Sequence, residues 1–266
     1  MKNVLLLVHD DEGQEARLQV ALDVVRAVGG HLTCVDVTIY PMFAGADNYS
    51  AIGVLLEGER EIEGRNKAKL EARLGVEGVP WDWIDSVGTL AECLESAASL
   101  ADLIVVNRRL DDPFGPDMRS VAGTVLLNSG KPLMAVPQDA RSLDLGGHAF
   151  VAWDGSEESI DALRAAVPLL KIASRVTLIA IEDGSVSLRG EAAATYLSRY
   201  DVHAELKIIH PRKASAAEVI LREIADQRPD FLVMGGFGHG RLREAILGGV
   251  TRQMLTECPV PLFLVH

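Results

Sequence analysis

The second half of the chain repeats the first, and that repeat limits the fold more than any other feature. NVLLLVHDDEG (residues 3–13) reads as a buried strand entering an acidic turn, and HAFVAWDGSEES (148–159) has the same form. Apolar residues at helical spacing follow in each case: Leu18, Ala21, Leu22 and Val25, then Ile160, Leu163, Val167 and Leu170. Ser156 has the character of an N-cap, and Glu157 and Glu158 after it suit the positive end of a helix. HLTCVDVTIY (31–40) and RVTLIAIED (175–183) match at an offset of 144 residues, which sets Asp10 against Asp154. By ADLIVVN (101–107) and PDFLVMG (229–235) the offset is 128, so the first copy carries 16 extra residues between its second and fourth strands. They fall in a loop and a long charged helix ending EGEREIEGRNKAKLEARL (57–74). There, i,i+4 pairs such as Glu61 with Arg65 read as a solvated face. KPLMAVP and VPLFLVH close the two copies at an offset of 129, with Pro132 matching Pro261. QDARSLDLGG (138–147) is polar and non-periodic and reads as a linker, giving domains at 1–140 and 146–266.

Strands such as LIVV, FLVM and LFLV are continuous apolar runs, buried on both faces, and they alternate with helices. That combination specifies parallel sheets with right-handed crossovers. The expected fold is therefore α/β, two tandem five-stranded Rossmann-like sandwiches of strand order 3-2-1-4-5. Ligands of such sheets sit beyond the carboxyl ends of the strands where the order reverses, here between strands one and four. The last, apolar strand of each copy suits pairing between the domains, which makes the chain a pseudo-dimer; further pairing into a homodimer is compatible with this.

A chain of 266 residues accommodates two such domains. Its net charge of −12 opposes binding to nucleic acid or anionic membrane. The acidity is concentrated in residues 1–140, with 12 Lys+Arg against 22 Asp+Glu; the remainder holds 14 against 16 and is the better place for a polyanion. Cys34, Cys93 and Cys258 have no metal or disulfide spacing, and no run is apolar enough for a membrane span. A cytoplasmic protein with free thiols is expected.

Chemistry is sought at the strand ends. MGGFGHGRLREAILGGVTRQML (234–255) places Gly235, Gly236, Gly238 and Gly240 at a strand exit, and Gly248 and Gly249 before an apolar-periodic helix. Glycines let backbone N–H groups approach a phosphate, and a helix N-terminus adds partial positive charge. His239, Arg241 and Arg243 lie nearby. The same glycines would also serve close helix–strand packing, and neither standard phosphate-loop fingerprint is present.

Gly235-x2-Gly238-x9-Gly248 after a strand ending in Met resembles the ATP-binding signature of the universal stress protein family. WDGS (153–156) and CPVPLFLV (258–265) share the likeness, which extends over both halves as a tandem member. The resemblance implies ATP, with or without Mg, or AMP as ligand. It implies that Ala152, Trp153 and Asp154 lie against the adenine and ribose, with Asp154 an acceptor and Ile181 packed on the base. Met234 and Gly235 would line the nucleoside; Gly238, Gly248, Gly249 and Val250 would present backbone to ribose and phosphates. Gly249 stands where the family has Ser or Thr, and Trp153 is bulky enough either to stack on the base or to fill the core.

The first copy departs further. Asn107, Leu110 and Arg119 replace Gly235, Gly238 and Gly248, although Ser120 keeps a hydroxyl. Arg108, Arg109 and Arg119 are expected to pair with Asp111, Asp112 and Asp117 at the surface. His203, His210 and His239 show no zinc spacing, and Asp10-Asp11-Glu12 reads as a polar turn; no metal site is expected. No catalytic constellation is evident, so ATP hydrolysis would be slow at most. The expectation is a stress-response switch with adenine nucleotide in the second domain. Its rival is a nucleotide-free interaction scaffold.

Overall fold

The computed structural model describes residues 1–39, 49–181, 189–210, 214–238 and 249–266, with backbone alone at 49–52 and 54. The first copy runs β1 (Asn3–Val8), α1 (Gln14–Val28), β2 (His31–Ile39), α2 (Tyr49–Leu74), β3 (Trp81–Gly88), α3 (Leu90–Ala97), β4 (Leu103–Asn107), α4 (Met118–Ser129) and β5 (Leu133–Val136). The second runs β6 (His148–Trp153), α5 (Glu157–Leu170), β7 (Arg175–Ile181), α6 (Gly190–Ser198), β8 (Ala204–Ile209), α7 (Ala216–Gln227), β9 (Phe231–Gly235), α8 (Gly249–Glu257) and β10 (Leu262–Val265).

The ten strands form one sheet, β3-β2-β1-β4-β5-β10-β9-β6-β7-β8. Each half has the expected order 3-2-1-4-5, mirrored about the centre. All pairings within a half are parallel. The join between β5 and β10 is antiparallel, with Met134 opposite Phe263. The final strands thus pair the two copies, as their apolar sequences anticipate. Buried residues of α1, α2, α5 and α6 pack on one face of this sheet, and those of α3, α4, α7 and α8 on the other. Both cores run across the join. Pro132 and Pro261 also match, each offering its carbonyl to a strand amide, Ile104 N–H and Leu232 N–H respectively.

Helix starts follow local chemistry. Ser156 caps α5 by accepting from Ser159 N–H at 3.1 Å, and Ser215 and Glu218 form a capping box on α7. Asp117 caps α4, accepting from Ser120 N–H at 3.3 Å, so it is a helix cap rather than a surface partner for an arginine.

Three expectations need correction. The offset at the first strand is 145, not 144: Asn3 pairs with His31 as His148 does with Arg175, and Val4 pairs with Leu103 as Ala149 does with Phe231. His9, and not Asp10, is therefore the counterpart of Asp154; the acidic turn of the first copy is simply longer. The linker is not free-standing, because Leu143 and Leu145 are buried in the core and Leu143 N–H donates to Asp23 at 2.9 Å. Nor is α2 solvated around Glu63 and Asn66, which are 2% and 4% exposed. Glu61 and Arg65 form no ion pair among those of the described residues.

Candidate functional site

In the second copy the ends of β6, β7 and β9 are adjacent through the pairings Trp153 with Ala180 and Val151 with Val233. Ala152, Ile181 and Met234 share one buried face. Trp153 points to the other face and is 3% exposed within the core that α5 covers. Asp154 is exposed, but its Oδ1 accepts from Ser156 N–H at 3.0 Å and Ser156 Oγ at 2.6 Å, and so organises the start of α5.

The glycines divide into two kinds. A Cβ on Gly235 would lie 2.7 Å from the Glu158 carbonyl carbon and Ser159 N, so this glycine permits α5 to touch β9. A Cβ on Gly236 would meet Leu126 of α4 at 2.7 Å, which makes Gly236 a contact between copies. Gly238 is exposed, and a Cβ there would come 3.0 Å from the Glu158 carboxylate, the movable end of a side chain. Gly249 has open space around its Cβ position and begins α8, with Val250 half-buried behind it. Phe237, between the two kinds, holds a left-handed φ of 60°. Its N–H donates to Thr251 Oγ1 at 3.0 Å, and its ring stands edge-on to His266. Gly248, with His239, Gly240, Arg241 and Arg243, lies outside the described residues.

The corresponding corner of the first copy is filled. Asn107, the counterpart of Gly235, is fully buried, and Leu110, the counterpart of Gly238, is 9% exposed. A Cβ on Gly13 would lie 2.5 Å from both Asn107 Oδ1 and Leu110 Cδ2. Arg17 completes the plug from α1 at zero exposure. Its guanidinium donates to the carbonyls of Leu7 (2.8 Å) and His9 (2.7 Å), to Asn107 Oδ1 (2.7 Å) and to Asp11 Oδ1 (2.5 Å). Local pattern does not reveal this: an arginine among apolar helix residues reads as a snorkelling surface side chain until its partners are known.

Beside the plug lies an acidic cluster. His9 Nδ1 contacts Glu63 Oε1 at 2.6 Å, and Glu63 Oε1 also accepts from Asp10 N–H at 3.1 Å. Asn66 donates to Glu63 Oε2 at 3.2 Å and exchanges amide hydrogen bonds with Gln14. Burial opposes charge on both His9 and Glu63. Their mutual bond prevails, raising the imidazole and lowering the carboxyl from their ordinary values. Asp36, on β2, is pushed up to about 7 by burial and then by the Glu63 and Asp85 carboxylates. Lys67 is engaged with Asp85 at 2.8 Å.

Arg108 is a further correction. It makes no surface ion pair; its guanidinium reaches across the join to the carbonyls of Leu255 (3.2 Å) and Thr256 at the end of α8. Arg109 does pair with Asp111, at 2.8 Å. These residues line a cleft of about 350 Å³ beyond β4, together with Glu12, Gln138 and Asp139. Two arginines against three acids, one arginine already committed across the join, give that cleft no preference for an anion.

Fold and corner together define a doubly wound tandem α/β protein with one plugged strand-end site and one glycine-lined counterpart. Residues 147–266 match the model of the universal stress protein family. The universal stress protein Slr1230 of Synechocystis sp. is 21% identical, the match covering 98% of each chain. Among solved structures, a universal stress protein from Archaeoglobus fulgidus DSM 4304 superposes with a TM-score of 0.77 at 18% identity, over 99% of this chain and 97% of that one. A functionally unknown protein, PA1789 from Pseudomonas aeruginosa PAO1, gives 0.61 at 14% identity over 99% and 92%. Residues 147–266 are thus a domain of the universal stress protein family, and the whole chain is a tandem of two domains with this fold. Among the described residues no helix is long and apolar enough to cross a membrane.

Proposed function

We propose that the second domain, residues 146–266, binds an adenine nucleotide, ATP with Mg²⁺ or AMP, as a regulatory switch in a cytoplasmic stress response. The first domain, residues 1–140, is its non-binding partner. The observation that carries this reading is the contrast at one position: among the described residues the atoms nearest a Cβ on Gly238 belong to the side chains of Glu158 and Ser156, whereas its counterpart Leu110 is packed into a plug. Ala152, Ile181 and Met234 would wall the base and Asp154 would meet the ribose through the carboxylate oxygen not bound to Ser156. Gly238, Gly248, Gly249 and Val250 would give backbone to the phosphates at the N-terminus of α8. Gly235 acts on the site through packing, and Trp153 through the core. With Gly249 in place of a hydroxyl residue, one hydrogen bond of about 0.5–1.5 kcal/mol is forgone, up to roughly tenfold in affinity.

A second reading, a scaffold without nucleotide, is favoured by the Glu158 carboxylate beside Gly238, where it repels phosphate unless turned aside or met by Mg²⁺. Nucleotide released from the denatured protein, followed by calorimetric titration of the emptied protein with Mg-ATP and AMP, separates the two. Binding is expected, and Gly238→Leu should abolish it without loss of helical circular dichroism. Absence of carried nucleotide together with no binding at millimolar ATP supports the scaffold.

A further inference from the structure

The cluster at the end of β1 has the composition and setting of a metal centre. His9 follows β1, Asp36 lies on β2, and Glu59 and Glu63 lie one turn apart on α2, so three separate elements converge. One donor atom each from His9, Glu59 and Glu63 fall within 4.8 Å of one another. Zinc–ligand bonds of about 2.0–2.2 Å require donors roughly 3.3–3.6 Å apart, so side-chain adjustments of an ångström or so would close the set. Asp36 supplies an independent sign. It is 5% exposed, faces Glu63, and its Oδ1 has no hydrogen-bond partner. Buried polar oxygens are rarely left so. Glu59 is half-buried, which leaves a way in for an ion.

The charges point the same way. The carboxyl groups of Glu59 and Glu63 face one imidazole, that of Asp36 lies against Glu63, and Lys67 is turned to Asp85 instead. We propose that His9, Glu59 and Glu63, with Asp36 against Glu63, form a binding site for a first-row divalent transition ion of the Zn²⁺ class. The ion takes the imidazole lone pair, and the proton that His9 shares with Glu63 leaves to solvent. One imidazole nitrogen with carboxylate oxygens suits Zn²⁺, whereas Mg²⁺ prefers oxygen donors and retained water. Its position gives the extra length of the first copy a purpose: α2 brings Glu59 and Glu63 to the strand end where His9, the counterpart of Asp154, stands.

The test uses the full chain stripped of metal with a chelator and titrated with Zn²⁺ against a chromophoric competitor. One equivalent should bind in the micromolar range or tighter, with proton release into weak buffer. Glu63→Gln and Glu59→Gln should each weaken binding by about tenfold or more. Urea unfolding checks that the variants fold; Glu59, being half-buried, decides the matter if Glu63→Gln does not. Failure to bind Zn²⁺ below millimolar concentration overturns the proposal. So does unchanged affinity in Glu59→Gln and in whichever Glu63→Gln protein folds, since the ion would then be held elsewhere.

Discussion

At the end of its fourth strand each copy brings a helix start against a strand, and each uses one glycine to do so, on opposite sides of the contact. In the second copy the glycine is on the strand: Gly235 faces the backbone of Glu158 and Ser159. In the first it is at the helix, where Gly13 faces Asn107 and Leu110. Moving the glycine changes what occupies the corner. With Gly235 and Gly238 those two positions carry no side chain; with Asn107 and Leu110 they fill the corner, and Arg17 can bury its guanidinium against the strand-end carbonyls. The same fold therefore carries a glycine-lined strand exit or a polar core from a handful of exchanges, with the sheet unchanged.

The largest effect is expected at Arg17. Arg17→Ala removes the donors that satisfy Leu7, His9, Asn107 and Asp11, and leaves an uncompensated acid whose other oxygen is already unpartnered. Breaking a buried pair in this way costs about 3–5 kcal/mol. Urea unfolding should show that loss with little change in slope. A loss below about 1 kcal/mol would break the comparison, because the first-copy corner would then be held by apolar packing and not by its buried arginine.

The glycine exchange is the next test. Gly235→Ala drives a methyl into rigid helix backbone, an overpacking cost of about 1–3 kcal/mol. Gly13→Ala meets the ends of two side chains, which can retreat, so its cost should be the smaller of the two. Unfolding midpoints of both variants, measured side by side, give the order. The reverse order would mean that Asn107, pinned by Arg17, is the less yielding surface.

Much of this architecture was legible because it rests on local pattern. Apolar runs, turn residues and the matched prolines fix ten strands and their order. What stayed hidden depends on partners far along the chain. Glu63 carries the charge pattern of a solvated helix, and its burial is accounted for chiefly by His9 and the Asp10 N–H, more than fifty residues earlier. The one-residue slip at β1 was hidden because both strands end in an aspartate-bearing turn, so aligning Asp10 with Asp154 looks natural; only backbone pairing reveals that His9 fills the place. At the candidate site, the glycine spacing picked out the corner. It does not separate Gly235, which packs on helix backbone, from Gly238, whose nearest described neighbours are side-chain atoms. In the sequence Glu158 suits the helix dipole, and its reach to Gly238 is a matter of side-chain direction.

The smallest expected effect concerns what the copies share. Asp102 Oδ2 accepts from Asn3 N–H at 2.9 Å and Lys2 N–H at 2.6 Å, and Asp230 Oδ2 accepts from His148 N–H at 2.7 Å. These aspartates anchor the start of the first strand in each copy, and they also establish the 145-residue offset. The Asn3 and Lys2 N–H bonds hold the Asp102 carboxyl below the usual range despite partial burial. Because its folded value is depressed, its contribution is complete above the unfolded carboxylate value of about 3.9 and fades as pH falls through the folded value. Asp102→Asn should therefore lower the urea midpoint slightly near neutral pH, and the two proteins should converge as acid protonates the wild-type carboxyl. A gap that persists undiminished in acid would assign the effect to hydrogen-bond geometry and not to charge. The shared anchor would then be a shape that both copies preserve, independent of whether the corner above it is plugged or bare.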